Sequence, residues 1–189
     1  MRYPPTRKAE TREKLLAAAT ELLGRGNIDR LTIGEVTAAA GVTHGAFYAH
    51  FSSRDALVEA ALDRMFSDAI DKFSRPSASG AAASFIRRYL SEAHCDREGG
   101  GCPIALFAGQ SASFSPGAKI VFADGTARTI STLQRHLEEE CPGSAEASRL
   151  LATLVGTLSL ARSLGGDAGK QALGTARARL MREVSKTRP

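Results

Sequence analysis

The chain has 189 residues, 43% of them apolar and 24% charged, with a net charge of +5. These values exclude a wholly disordered chain and fit either one sizeable globular unit or a large and a very small domain together. No apolar run reaches the length of a membrane span and no apolar segment follows Met1, so a cytoplasmic protein is expected. In that compartment the odd set Cys95, Cys102 and Cys141 predicts free thiols and no structural disulfides.

The pI near 9.4 is compatible with nucleic acid. The charge is not gathered at the front, however. Residues 1–75 hold 11 Lys or Arg against 10 Asp or Glu, while the stretch from Ala168 onward holds 6 against 1. If the front of the chain binds DNA, a few placed side chains must do it.

In chain order, Met1 to Thr6 reads as a polar arm and a first helix runs to about Leu23, with Leu15, Leu16, Ala19, Leu22 and Leu23 on its buried face. Gly24-Arg25-Gly26-Asn27 ends it. Thr32-Ile33-Gly34-Glu35 spells a capping box that opens a short helix to Ala40. Gly41 breaks the chain, and a third helix covers about Thr43 to Ala49. Ser52 with Asp55 predicts the start of a fourth helix that reaches Phe73. Arg75-Pro76-Ser77-Ala78-Ser79-Gly80 is the clearest break after that. Five more helices are predicted at about 81–96, 103–112, 117–140, 145–164 and 168–186, separated by Gly99-Gly100-Gly101, Ser115-Pro116-Gly117, Cys141-Pro142-Gly143 and Gly165-Gly166. With no alternating β-branched runs, the expected fold is all-α with about nine helices.

Three short helices in about 50 residues, with a tight break between the second and third, form a helix-turn-helix pattern. Ala40-Gly41-Val42 is the turn, and Val42 and Phe47 are placed to fill the angle behind it. Such a unit presents the first residues of its second helix, here Thr43, His44 and Gly45, to the edges of bases in the major groove. Gly45, lacking a side chain, allows the backbone a close approach.

The stretch Leu31 to Leu57, which contains Gly41-Val42-Thr43-His44-Gly45-Ala46-Phe47-Tyr48-Ala49-His50-Phe51-Ser52-Ser53-Arg54-Asp55-Ala56-Leu57, resembles the TetR family of repressors, as does Arg12 to Ala19 in the first helix. Arg54 stands where that family commonly has Lys. The resemblance implies a DNA-binding domain over 1–55 and a helical effector-binding and dimerisation domain over 56–189. It also implies roles by position: Thr43, His44 and Gly45 toward bases, and Tyr48 and His50 on phosphates, with Tyr48 also in reach of a base. Thr32 and Arg54 would hold phosphates at two helix N-termini. Arg2, Arg7 and Lys8 would add non-specific contacts.

Toward the C-terminus, Ala152, Gly156, Ser159 and Ser163 line a small-residue face flanked by Leu151, Leu154, Val155 and Leu158. The last helix carries Leu173, Ala176, Leu180 and Val184 on one stripe. The resemblance implies that these two helices from each of two subunits form a four-helix bundle. The alternative is that both stripes bury within one chain. Arg177, Arg182 and Lys186 read as a solvated helix face.

The resemblance implies an apolar effector pocket bordered by Met65, Phe66, Phe85, Tyr89, Phe107 and Phe122, each of which taken singly reads as plain core. Cys102 precedes Pro103 at a helix start, where a thiolate is favoured, so a thiol sensor is an alternative to a small buried residue. His94, Cys95, Cys102 and Cys141 lack metal-site spacing, and neither a metal nor a cofactor is expected. No nucleophile elbow or dinucleotide fingerprint points to an enzyme. The expected partners are double-stranded operator DNA, a second copy of the chain and a small-molecule inducer. A constitutive or architectural DNA-binding protein without an effector is the competing reading.

Overall fold

The computed structural model describes residues 5–75, 80–96, 101–140 and 146–185. Within these segments the regular elements are helices throughout: α1 (Pro5–Leu23), α2 (Ile33–Ala40), α3 (His44–Phe47), α4 (Arg54–Phe73), α5 (Ala81–Tyr89), α6 (Glu92–Cys95), α7 (Pro103–Phe107), a 3-10 turn over Ala108–Ser113, α8 (Pro116–Glu140), α9 (Ala147–Leu164) and α10 (Gly166–Ser185). The all-α expectation holds. Arg2, Pro76 to Ser79, Gly99-Gly100, Cys141-Pro142-Gly143 and Lys186 lie outside the described residues.

Two predicted helices are each divided. Residues 81–96 break at Leu90, where the Ser91 hydroxyl caps α6 by accepting from His94 N–H at 3.2 Å. A serine oxygen in this place satisfies an amide that the previous helix would otherwise have used. Residues 103–113 tighten from α7 into a 3-10 turn whose Ser111 and Ser113 hydroxyls bond back to Ala108 and Gln110 carbonyls, both at 2.8 Å. The start of α4 also lies one residue later than expected: Ser53, not Ser52, accepts from Ala56 N–H at 3.0 Å.

The chain packs as two compact units, Met1–Met65 with Glu98–Asp124, and Phe66–Arg97 with Gly125–Pro189. The first buries Leu15, Ala19 and Leu23 of α1 with Val36, Phe47, Leu57, Leu62 and Phe107. Arg64 pairs with Glu13 at its surface.

The second unit is centred on Phe73, Phe85, Tyr89 and His94. The Phe85 and Tyr89 rings stack at 6.0 Å, and the His94 ring lies 4.9 Å from both Phe73 and Tyr89. Three arginines of this unit bond to backbone carbonyls at helix ends. Arg88 reaches Lys72 O at 3.0 Å, Arg162 reaches His94 O at 3.0 Å and Cys95 O at 3.2 Å, and Arg177 reaches Leu90 O at 3.4 Å. Arg177 is thus half-buried and employed by the fold, which corrects its reading as part of a solvated face; Arg182 is exposed as expected.

α9 and α10 pack against each other through the leucines. Leu151, Leu154 and Leu158 of α9, and Leu173, Leu180 and Val184 of α10, are buried within the single chain. The opposite face of α9 is open: Ala152, Gly156, Ser159 and Ser163 are exposed, with Leu160 63% and Leu164 58% exposed beside them.

Gly125 sits in the interior of α8, where glycine costs up to about 1 kcal/mol relative to alanine. Its place is explained by the Phe66 ring, which lies so close that a methyl group at Gly125 would overlap it. Gly125→Ala is expected to destabilise the fold by about 1–3 kcal/mol through overpacking. Gly174→Ala, in α10 with open space at that point, should be neutral or stabilising by up to about 1 kcal/mol. Urea unfolding of the two variants beside the parent measures both effects.

Candidate nucleic-acid interface

The helix-turn-helix is built on three local devices. The capping box is present in full: Glu35 N–H donates to Thr32 Oγ1 at 3.2 Å, and Glu35 Oε2 accepts from Thr32 N–H at 3.1 Å and from the Thr32 hydroxyl at 2.9 Å. Gly41 then takes the left-handed conformation, φ 65 and ψ 36. Its N–H donates to Ala38 O at 3.2 Å and Val42 N–H to Thr37 O at 3.0 Å, closing the end of α2. A β-carbon there would be strained. Thr43 caps α3, its Oγ1 accepting from Ala46 N–H at 3.3 Å. Phe47 is fully buried behind the turn, Val42 packs against the same core and Phe51 stacks on Phe47 at 5.8 Å, so the expected wedge forms.

This anchoring leaves Thr43, His44, Gly45 and Tyr48 exposed on one short segment. Tyr48 is 56% exposed and meets His44 edge-on at 5.7 Å and Phe47 at 5.2 Å. A β-carbon at Gly45 would meet nothing within 4 Å, so the fold itself does not require a glycine there. His50 is half-buried and its Nδ1 has no hydrogen-bond partner. Burial, then the charges of Lys8 and Arg12, hold its imidazole below the usual range. Arg12 also lies over the Phe51 ring at 5.0 Å. Its alignment beside His50 is a basic feature of α1 that sequence reading passed over in favour of Arg2, Arg7 and Lys8. Helical spacing from Lys8 was the signal available.

Two of the expected phosphate ligands are otherwise engaged. Thr32 spends its hydroxyl on Glu35, whose carboxylate occupies the positive end of α2; the hydrogen bonds from Thr32 hold that carboxyl below its usual range. Arg54 turns its guanidinium to backbone carbonyls: Nε donates to Leu31 O at 2.6 Å, Nη2 to Ile28 O, and Nη1 lies 3.3 Å from Asp55 Oδ1. In this structure the Arg54 side chain is therefore a tie within the fold.

The six residues expected at an effector pocket fall in both units. In the first, Met65 and Phe107 are buried and Phe122 is partly buried against Phe114, at 5.5 Å. In the second, Phe66, Phe85 and Tyr89 are buried side chains of the core. A groove of about 500 Å³ in the second unit is lined instead by Ser67, Ile70, Asp71, Ala127, Arg128, Ser131 and Thr132. Cys102 precedes α7 as expected, with Pro103 at the first helical position, and is buried. Cys95 is half-buried, and burial pushes its thiol up. Among the described residues no three His, Cys, Asp or Glu side chains converge as a metal site would need, and no helix is long and apolar enough to cross a membrane.

Fold and exposed segment together define a helix-turn-helix module. Residues 15–61 match the family model of bacterial regulatory proteins, tetR family. That match covers the helix-turn-helix module, where the chain is similar to the tetR family. It is 33% identical over 60 residues to the uncharacterized HTH-type transcriptional regulator YvdT of Bacillus subtilis, a match covering 32% of this chain and 31% of the relative. It is 34% identical over 89 residues to the HTH-type transcriptional repressor Rv3405c of Mycobacterium tuberculosis, covering 47% and 45%. The chain thus spans less than half the length of these curated relatives. The whole fold is shared with a TetR transcriptional regulator from Chloroflexus aurantiacus, at TM-score 0.76 and 24% identity over 96% of this chain and 98% of the other. It is shared equally with Escherichia coli NemR in its reduced form, at TM-score 0.76 and 21% identity over 92% and 97%.

The His50 environment sets a pH dependence. An unfolded chain takes up a proton at this imidazole near the ordinary value of 6.5, and the folded chain does so only at lower pH. Stability therefore falls as pH drops below that value. His50→Gln is expected to flatten this acid-side decline, read as the urea midpoint of variant and parent across the range.

Proposed function

We propose that this protein is a DNA-binding transcriptional repressor that acts as a homodimer on double-stranded operator DNA and is released by a small-molecule inducer. Residues 1–55 read DNA, and residues 56–189 bind the effector and hold the dimer. The observation that carries the reading is the exposed segment Thr43, His44, Gly45 and Tyr48, fixed by the left-handed Gly41 and the buried Phe47. Rigid backing with polar and aromatic groups facing outward is what base-edge recognition needs. Tyr48 and His50, with Lys8 and Arg12 near the imidazole, supply contacts suited to phosphates.

The open face of α9 supports the dimer. Leu160 and Leu164 border a groove of about 740 Å³ that continues along Ala168, Ala172 and Ala176 of α10, and small residues at Ala152 and Gly156 permit close approach of a second copy. A two-fold assembly places two reading segments on the two halves of a palindromic operator.

For release, α4 begins at the DNA-reading module and ends at Phe73 in the second unit's aromatic core. An apolar or amphipathic inducer bound within residues 56–189 would favour release only by preferring a state that DNA does not. Covalent change at Cys102 is the alternative trigger.

Four variants test these assignments. Tyr48→Ala is expected to weaken operator binding by about 1–3 kcal/mol with the fold intact. Gly45→Ala should weaken binding while stability is unchanged or higher, because its β-carbon meets open space in the free protein. Fluorescence anisotropy on the DNA upstream of the chain's own gene, with thermal melts, separates the two quantities; parental affinity in both variants would refute the reading helix. Gly156→Arg should convert a dimer to monomers in light scattering at micromolar concentration. A monomeric parent would end the dimer proposal. Cys102→Ser should retain the response to a reversible inducer and lose any response to electrophiles.

A further inference from the structure

The loop between α1 and α2 gives three carbonyls to side chains far away in sequence. Gly26 O accepts from Gln110 Nε2 at 2.8 Å, and the same nitrogen lies 3.3 Å from Leu106 O. Leu31 O and Ile28 O accept from the two nitrogens of the Arg54 guanidinium that form its fork. The loop's internal bonds are local: Asn27 Oδ1 accepts from Asp29 N–H at 3.0 Å and Arg30 N–H at 3.2 Å, and Leu31 N–H reaches Ile28 O at 3.4 Å. Its placement against the rest of the unit thus depends on Arg54, Gln110 and the buried Ile28 and Leu31 side chains.

We propose that Arg54 and Gln110 are positioning residues for DNA reading. They clamp the α1–α2 loop from two sides and so set the aim of α2 and α3. The loop ends at Leu31, and α2 begins at Ile33 behind the Thr32 cap, so a shift of the Leu31 carbonyl redirects the first turn of α2. The fixed turn at Gly41 passes that change to the reading segment. Arg54 is the first residue of α4 and Gln110 follows α7, so two elements outside the helix-turn-helix share control of one loop. Arginine suits this place better than lysine because a planar fork serves two carbonyls at once, whereas an ammonium is a point donor. The inference rests on the repressor reading.

The experiment measures operator affinity over a salt series, with thermal melts, for the parent, Arg54→Lys, Arg54→Ala and Gln110→Met. Arg54→Lys keeps the charge and loses the fork. It is expected to lower affinity on the order of tenfold, within the usual range of coupling effects, with the parent's slope of log affinity against log salt. Gln110→Met, which removes a donor and no charge, should do the same. The two changes combined should cost less than the product of their separate effects, because both act on one loop. The inference is overturned if Arg54→Lys binds like the parent while Arg54→Ala loses about 0.9 from the slope, the mark of a phosphate contact. It is equally overturned if Gln110→Met keeps parental affinity, and that variant decides alone should the Arg54 variants fail to fold. A parent that shows no salt-dependent binding to the operator duplex would instead remove the repressor reading on which this one stands.

Discussion

A helix ends in backbone carbonyls that its own amides cannot reach, and a chain cut into short helices has many such ends. Here arginine side chains satisfy several of them. Arg88, Arg162 and Arg177 reach the last carbonyls of α4, α6 and α5, and Arg54 does the same for the turn that precedes α2. A guanidinium is weakly hydrated, permanently charged and able to bond two acceptors in one plane, which suits it to half-buried sites of this kind. The geometry of the second unit rests on these contacts, because they fix where one helix stops relative to the body of the next.

This employment of arginine changes what the net charge of +5 means. Part of the excess is spent on the fold and is not offered to a polyanion. The surface suited to DNA owes more to shape, to Tyr48, His44 and the open Gly45, than to bulk positive charge. The first turn of α2 makes the same point from the opposite sign. Its positive end already holds the Glu35 carboxylate, so a DNA phosphate approaching there would meet a like charge.

Local chemistry was legible in the sequence, and long-range chemistry was not. Thr32 with Glu35, Gly41, Phe47 and Phe51 announce themselves because a cap, a left-handed turn and an apolar wedge depend on neighbours within a few residues. The break at Leu90 was missed because its punctuation is a lone serine, with no glycine or proline. The role of Arg54 could not be read, since its acceptors lie 23 and 26 residues away and are backbone atoms without identity in a sequence. The same limit applied to α9: the period that marks Leu151, Leu154 and Leu158 as buried does not say whether the burying partner is the same chain or another. The structure answers that they are buried within the one chain, where α9 packs against α10, α5 and α6, leaving the small residues and Leu160 and Leu164 outward.

Those two leucines carry a consequence for the life of the protein in dilute solution. A protomer alone leaves both in water, and any second copy that covers them binds the folded chain and not the unfolded one. Stability then follows mass action and rises with the logarithm of protein concentration. In the proposed dimer the chain's own abundance would become one of its ligands. A cell that holds few copies would hold them in their least stable form, where proteases remove them soonest, and the number of molecules present would set how long each one lasts.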